Sequence, residues 1–371
     1  MPNVPICNST WKNSTRKTSR TVNVKSGIWQ AAFLFSAMLL TLTVIFPGIP
    51  YAAESSGPYL YVFSSTSEAV TVIDTATLEV LGTRPTGFKV MWLADNMNSF
   101  DGRLLWTYGM RHVEVGGKKR LKIDVIAFDP KRLKVVKRIE VGNGPAHSVV
   151  LTPDRKQAII NVAGDNIIAF IDVESGNVVE RLSVGKFPCD MSLSPDGRFA
   201  YFPERDQDTL AKMDLATHQV VKRISLAPGS KPHMNRVAPD GETLWAQTAT
   251  TNLNLIYDAQ SFQLLNAQRV GNRPTTNAWT TDGKYSLVMH RMDNKVFVIG
   301  AEPPYQPVKE IEVGPWPGVA AFHPDGTVAY VSVRGLNAVA VIDLNTLKVK
   351  TMLPGGENPI GMVLLDIRPE I

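Results

Sequence analysis

The chain has 371 residues, 44% of them hydrophobic and 20% charged, which is the make-up of a globular protein with enough apolar material for a sizeable core. Its formal charge of +5 is misleading, because five of its 39 basic residues (Lys12, Arg16, Lys17, Arg20 and Lys25) precede Glu54, the first acid. The remaining 34 basic residues face 34 acidic ones. A neutral domain gives no reason to expect nucleic acid, which requires a basic face.

In chain order, the basic stretch is followed by an uncharged apolar run, Ile28 to Phe46, then by Pro47, Gly48 and Pro50 and the small residues Ala52 and Ala53. That is the layout of an export signal, and the run is also long enough to stay as a membrane anchor. Residues 1–53 are therefore expected to be a targeting segment, and 54–371 an extracytoplasmic domain, periplasmic or envelope-associated. Cys189 is then left without an intramolecular partner, since Cys7 lies ahead of the apolar run. No C-x-x-C-H occurs to attach a c-type haem.

From Tyr59 onward one grammar recurs. A Gly followed shortly by Pro appears at Pro85, Pro145, Pro188, Pro232, Pro274, Pro317 and Pro359, at intervals of 60, 43, 44, 42, 43 and 42 residues. After the proline comes a short apolar segment, then a turn such as Pro195-Asp-Gly or Pro324-Asp-Gly, in which Pro presets one dihedral and Gly accepts a positive one. Two alternating strands follow, the second ending in Asp, as in Val70-Thr-Val-Ile-Asp74 and Val339-Ala-Val-Ile-Asp343, and then a last strand. Four short strands fill each repeat. Such a sheet hides both faces only by packing against copies of itself, so the expectation is an all-β, seven-bladed propeller with four-stranded blades. Tyr59–Phe63 reads as a second strand and Ile360–Leu365 as a first, so the two terminal segments should pair and close the ring. The long first interval, with Gly116-Gly-Lys-Lys-Arg120 in it, predicts an extended hairpin.

The wording of the repeats, Pro324-Asp-Gly, Tyr330-Val-Ser-Val and Val339-Ala-Val-Ile-Asp-Leu-Asn-Thr, resembles the YVTN-repeat propeller family over about residues 59–367. That superfamily is similar to the d1-haem domain of nitrite reductase and to the heavy subunit of amine dehydrogenases. The resemblance implies architecture strongly and activity weakly.

No nucleophile elbow, P-loop, H-E-x-x-H or dinucleotide fingerprint is present. The Asp residues mostly occupy repeat turns and read as structural. Candidate function therefore lies where blades differ, at the channel mouth formed by the loops leading into first strands and by the hairpins between second and third strands. Counting back six residues from the turn aligns His147, Cys189 and His233. Counting forward from the proline aligns His147 with Asp190 instead, and the sequence does not choose. Imidazole and thiol suit a soft transition metal or a cofactor ligand, so His147, Cys189 and His233 are the metal candidates. The plainer alternative is loop residues that hydrogen-bond neighbouring turns.

In the hairpins, Arg205, Arg291 and Arg334 fall at equivalent positions, with His290 and Glu204 one residue earlier and Arg111 at a less certain register. Guanidinium groups on one rim suit a protein or small ligand bearing carboxylates. Alternatively each Arg pairs with Glu204, Asp206 or Asp293 on a solvated surface. Trp106, Trp245, Trp279 and Trp316 read as packing between blades. The leading expectation is a non-enzymatic binding or scaffold protein with its ligand at one mouth. The alternatives are a propeller holding a d1-type haem or a transition metal at His147, His233 and His290, and a subunit resembling the amine dehydrogenase heavy chain.

Overall fold

A computed structural model describes residues 57–90, 93 and 99–371. The expected targeting segment, with Cys7, lies outside the described residues.

The domain is a seven-bladed propeller of antiparallel sheets. Blade one contains, from the channel outward, Pro359–Leu365, Tyr59–Ser64, Ala69–Asp74 and Val80–Pro85. The closing seam runs Tyr59↔Leu365, Tyr61↔Val363 and Phe63↔Gly361, as the terminal segments predict. The Tyr61 hydroxyl fastens it by donating to the Ile367 carbonyl at 2.6 Å. Blades three to seven begin with innermost strands His147–Leu151, Ser192–Leu193, Pro232–Val237, Pro274–Trp279 and Pro317–Phe322, and each continues through three more strands in sequence order. Innermost strands are buried or partly buried throughout, Pro317–Phe322 wholly so, whereas outermost ones such as Val178–Ser183 alternate between partial burial and exposure. The core is a set of apolar layers between neighbouring blades, such as Leu287, Val298, Val331 and Ile342 between blades six and seven.

One part of the repeat differs from expectation. Pro85 does not lead into a blade. It ends the outermost strand of blade one, opposite Ala69, just as Pro354 ends that of blade seven, opposite Ala338. An outermost strand has a free edge, so the missing N–H costs nothing there. The innermost position of blade two is marked instead by Val90, bridged to Gly109. The extended hairpin is present in that blade. Leu105–Val115 and Lys118–Asp129 pair throughout, joined at Gly116-Gly117 with φ of 58° and 72°, the left-handed pair a tight hairpin turn needs. Six-residue strands are usual in the other blades, so these two run about 16 Å further at ~3.3 Å per residue.

The repeated aspartates are structural. Asp74, Asp129, Asp172, Asp214, Asp258 and Asp343 each accept backbone N–H groups two or three residues ahead. Asp154, Asp196, Asp240, Asp282 and Asp325 do the same in the first–second strand turns. The Thr280 hydroxyl, helped by the Lys284 N–H, holds the Asp282 carboxyl down to about 2, and the Ser261 N–H and hydroxyl hold Asp258 below the ordinary value. The acids used in this way are removed from the list of functional candidates.

Candidate functional site at the channel mouth

The mouth is built by a backbone device repeated around the ring. The residue before each leading proline sits in the left-handed region: Gly144 (φ 77°), Phe187 (56°), Lys231 (50°), Arg273 (54°), Trp316 (58°) and Asn358 (46°). The conformation costs a non-glycine residue roughly 1–2 kcal/mol. It is held by the hairpin opposite, whose first residue donates its N–H back: Arg205 to Phe187, Ala249 to Lys231, Arg291 to Arg273, Arg334 to Trp316 and Ser65 to Asn358. Two side-chain series therefore meet at one rim.

Just below the rim the innermost strands carry a bulge, between Pro232 and Met234 in blade five and one position further along, between His147 and Val149, in blade three. The structure selects the register counted back from the turn. His147, Cys189 and His233 bring their ligand atoms within 4.8 Å of one another. The two imidazoles lie edge to face, centroids 5.0 Å apart, and His147 also meets Phe187. Cys189 is fully buried and held through its backbone, its N–H on the Pro203 carbonyl and its carbonyl on the Asn161 side chain. Neither imidazole hydrogen-bonds another described residue. Burial, with the positive Arg205, Arg273 and Arg291 around it, lowers His233 to about 4, and burial with His233 and Arg205 puts His147 well below its ordinary range. Both rings are therefore neutral at physiological pH. Burial pushes the Cys189 thiol far up, with Arg205 pulling the other way.

The arginines come together as the hairpin alignment predicts, and the acids expected to neutralise them are engaged elsewhere. Glu204 is buried and bound by Arg223. Asp206 pairs with Lys231 at 3.3 Å. Asp293 accepts from the backbone and side chain of Asn272. Among the described residues Arg205, Arg273, Arg291 and Arg334 have no carboxylate partner. Arg205 lies over the Phe187 ring at 4.9 Å, Arg291 over Trp316 at 5.7 Å, and Arg334 donates to the Asn358 side-chain carbonyl at 2.8 Å. Arg273 and Arg291 repel one another, as do Arg291 and Arg334.

Other candidates are placed differently. Asp190 is engaged in a buried ion pair with Arg236. His290 ends a second strand, fully buried, its ring 4.1 Å from Phe297 and its Nδ1 3.9 Å from Asp293. Burial lowers it to about 3. Arg111 is held by Asp124 and Glu140. Trp106 and Trp245 pack inside the fold, but Trp316 is 48% exposed at the rim rather than packed between blades. Arg273, Phe187 and Trp316 are rim residues the sequence reading missed. Their shared place, one residue before a leading proline, was the available signal. Deeper in the channel, Met191, Ser192, Arg236, Asn277, Trp279 and Phe322 line a cavity of about 210 Å³.

Comparison with known proteins fits this architecture. The chain is 25% identical over 286 residues to protein NirF of Stutzerimonas stutzeri, a match covering 71% of this chain and 70% of that protein. Among solved structures it superposes on the periplasmic gluconolactonase PpgL of Pseudomonas aeruginosa with a TM-score of 0.70 at 18% identity, covering 83% of this chain and 99% of that one. Dihydro-heme d1 dehydrogenase NirN in complex with DHE gives 0.63 at 16%, covering 84% of this chain and 76% of that one. At such identities the likeness shows the fold alone. The family profile described as YNCE-like beta-propeller matches residues 119–368, and the chain belongs to that family.

Proposed function

We propose that the protein is an extracytoplasmic binding propeller whose mouth takes a flat ligand bearing several carboxylates, of the tetrapyrrole class. The observation that carries this is the set of four arginines, Arg205, Arg273, Arg291 and Arg334, with no carboxylate partner among the described residues. Uncompensated guanidinium groups held close together are unfavourable in the empty protein, and an anion relieves that repulsion while accepting paired hydrogen bonds. Phe187 and Trp316 add aromatic faces between the charges, which suits a planar partner. The name of NirN ties the same fold to a haem d1 ligand, which supports the class. An iron-bearing ring would supply a redox-active metal, and the neutral imidazole of His147 or His233 would hold it through a ring nitrogen. Export is supported by the basic stretch and the Ile28–Phe46 run, and by the periplasmic location in the name of PpgL.

The test is titration with a metal-free dicarboxylate porphyrin, followed by its absorption. A single site that weakens with salt is expected. Changing Arg205, Arg273, Arg291 or Arg334 to Gln should each weaken it about 10-fold, at roughly 1.5 kcal/mol per charge-assisted hydrogen bond. A folded quadruple variant that binds as tightly as the parent would defeat the proposal.

A further inference from the structure

The histidine–cysteine cluster supports a second conclusion that does not depend on the polycarboxylate ligand. We propose that His147, Cys189 and His233 form a site for a soft or borderline transition-metal ion, Zn²⁺ or Cu⁺, with its fourth position open to the mouth.

Three neighbouring blades each contribute one ligand, six residues before the turn proline in each, so the site is a product of the ring and not of one loop. Tetrahedral Zn²⁺ with bonds of about 2.0 Å to nitrogen and 2.3 Å to sulfur spaces its ligand atoms about 3.5 Å apart. Here all three atoms already lie within 4.8 Å. Closing that gap needs only side-chain rotation, and it breaks no hydrogen bond, since neither imidazole makes one to a described residue. Cys189 is the fixed point, clamped through its N–H and carbonyl by Pro203 and Asn161. Imidazole and thiolate select Zn²⁺ and Cu⁺ over Mg²⁺ or Ca²⁺, which take oxygen. The nearest carboxylate in sequence, Asp190, is committed to Arg236. As the Sγ–metal bond forms, the thiol proton leaves to solvent. The thiolate offsets one unit of the ion's charge, which matters beside Arg205. An anion drawn in by the arginines completes the fourth position.

An iron tetrapyrrole would draw on the same imidazoles but leave the buried sulfur unused. Sulfur ligation is therefore the discriminating readout. Apo protein is loaded with Zn²⁺ and, separately, with Co²⁺ as a spectroscopic substitute. About one equivalent of Zn²⁺ should survive gel filtration, and Co²⁺ should give an intense sulfur-to-metal charge-transfer band in the near ultraviolet together with tetrahedral visible bands. Cys189→Ser should abolish the charge-transfer band, and His147→Gln or His233→Gln should each weaken Zn²⁺ at least about 10-fold. Arg205→Gln should tighten Zn²⁺ by a few-fold while weakening porphyrin, opposite signs that a purely structural role for Arg205 would not produce. The parent protein's Co²⁺ spectrum needs no variant to fold. Its lack of a sulfur band, or a band unchanged in Cys189→Ser, would overturn the proposal. Loss of porphyrin binding with the sulfur band intact would sink the polycarboxylate reading alone.

Discussion

Replacing Asp190 by Ala isolates the energetics of the channel interior. Asp190 has no exposure and Arg236 only 8%, and the two form the buried ion pair beneath the mouth. The pair is only partly satisfied, since Asp190 Oδ1 and Arg236 Nη2 have no hydrogen-bond partner among the described residues. Desolvating both charges offsets much of their attraction, so the intact pair is a weak net stabiliser, but removing one member strands the other. A guanidinium does not deprotonate to escape. Asp190→Ala should therefore cost about 3–5 kcal/mol. With unfolding entropy of about 2.1 cal/mol/K per residue over roughly 300 residues, 4 kcal/mol lowers the melting temperature by about 6 °C. Arg236→Met leaves a carboxylate, which can take up a proton, so its cost should shrink between pH 7 and pH 4. The double variant Asp190→Ala/Arg236→Met should recover most of the loss, because the methionine fills the guanidinium stem's volume without charge. Urea unfolding followed by tryptophan fluorescence at both pH values measures the full cycle. A single-variant loss below about 1 kcal/mol, or a double variant as unstable as Asp190→Ala, would refute the reasoning.

Further outcomes follow from other features. His233 and His290 have folded values of about 4 and about 3 against an ordinary 6.5, so the unfolded chain takes up protons first as pH falls. Stability should be complete above pH 6.5 and decline by a few kcal/mol down to about pH 3–4, and His290→Gln should flatten that decline in pH-dependent melts. A Cβ on Gly164 would lie 2.3 Å from the Asn143 carbonyl oxygen and 2.6 Å from the Gly144 Cα, so Gly164→Ala should cost about 1–3 kcal/mol in the same urea assay. Shortening the hairpin that turns at Gly116-Gly117 back to the length of its neighbours should leave the melting temperature within a few degrees, as its tip is exposed. A fall of more than about 10 °C would show that it supports the blade.

The blade count and ring closure were readable because prolines, turn aspartates and alternating strands repeat with the fold's own period. Pro85 misled because a proline suits two different places, the start of an innermost strand and the free edge of an outermost one, and a short Gly-Pro spacing does not separate them. The register of His147, Cys189 and His233 was undecidable from spacing alone. The segment from Pro145 to the following turn is one residue longer than its counterparts, and strand pairing shows the extra residue absorbed as a bulge at Ser148, just after His147. The rim arginines were legible through their hairpin position, but their freedom from Glu204, Asp206 and Asp293 was not. It depends on Arg223, Lys231 and Asn272 reaching those acids first. His290 seemed a rim residue because it sits next to Arg291 in sequence. Successive strand residues face opposite sides, and its side is the interior.

Blade one gives the molecule a timing constraint. Its second strand, Tyr59–Ser64, has nothing on its channel side until Pro359–Leu365 arrives, and the hydroxyl latch from Tyr61 reaches across 306 residues of chain. Every partial chain ending before Pro359 carries an open arc with a bare strand edge and uncovered apolar layers. Such an arc gains little by organising early, because the contacts that close it join the most distant parts of the sequence. The last strand is therefore the piece that completes the ring, and the seam it forms joins the two ends of the described chain.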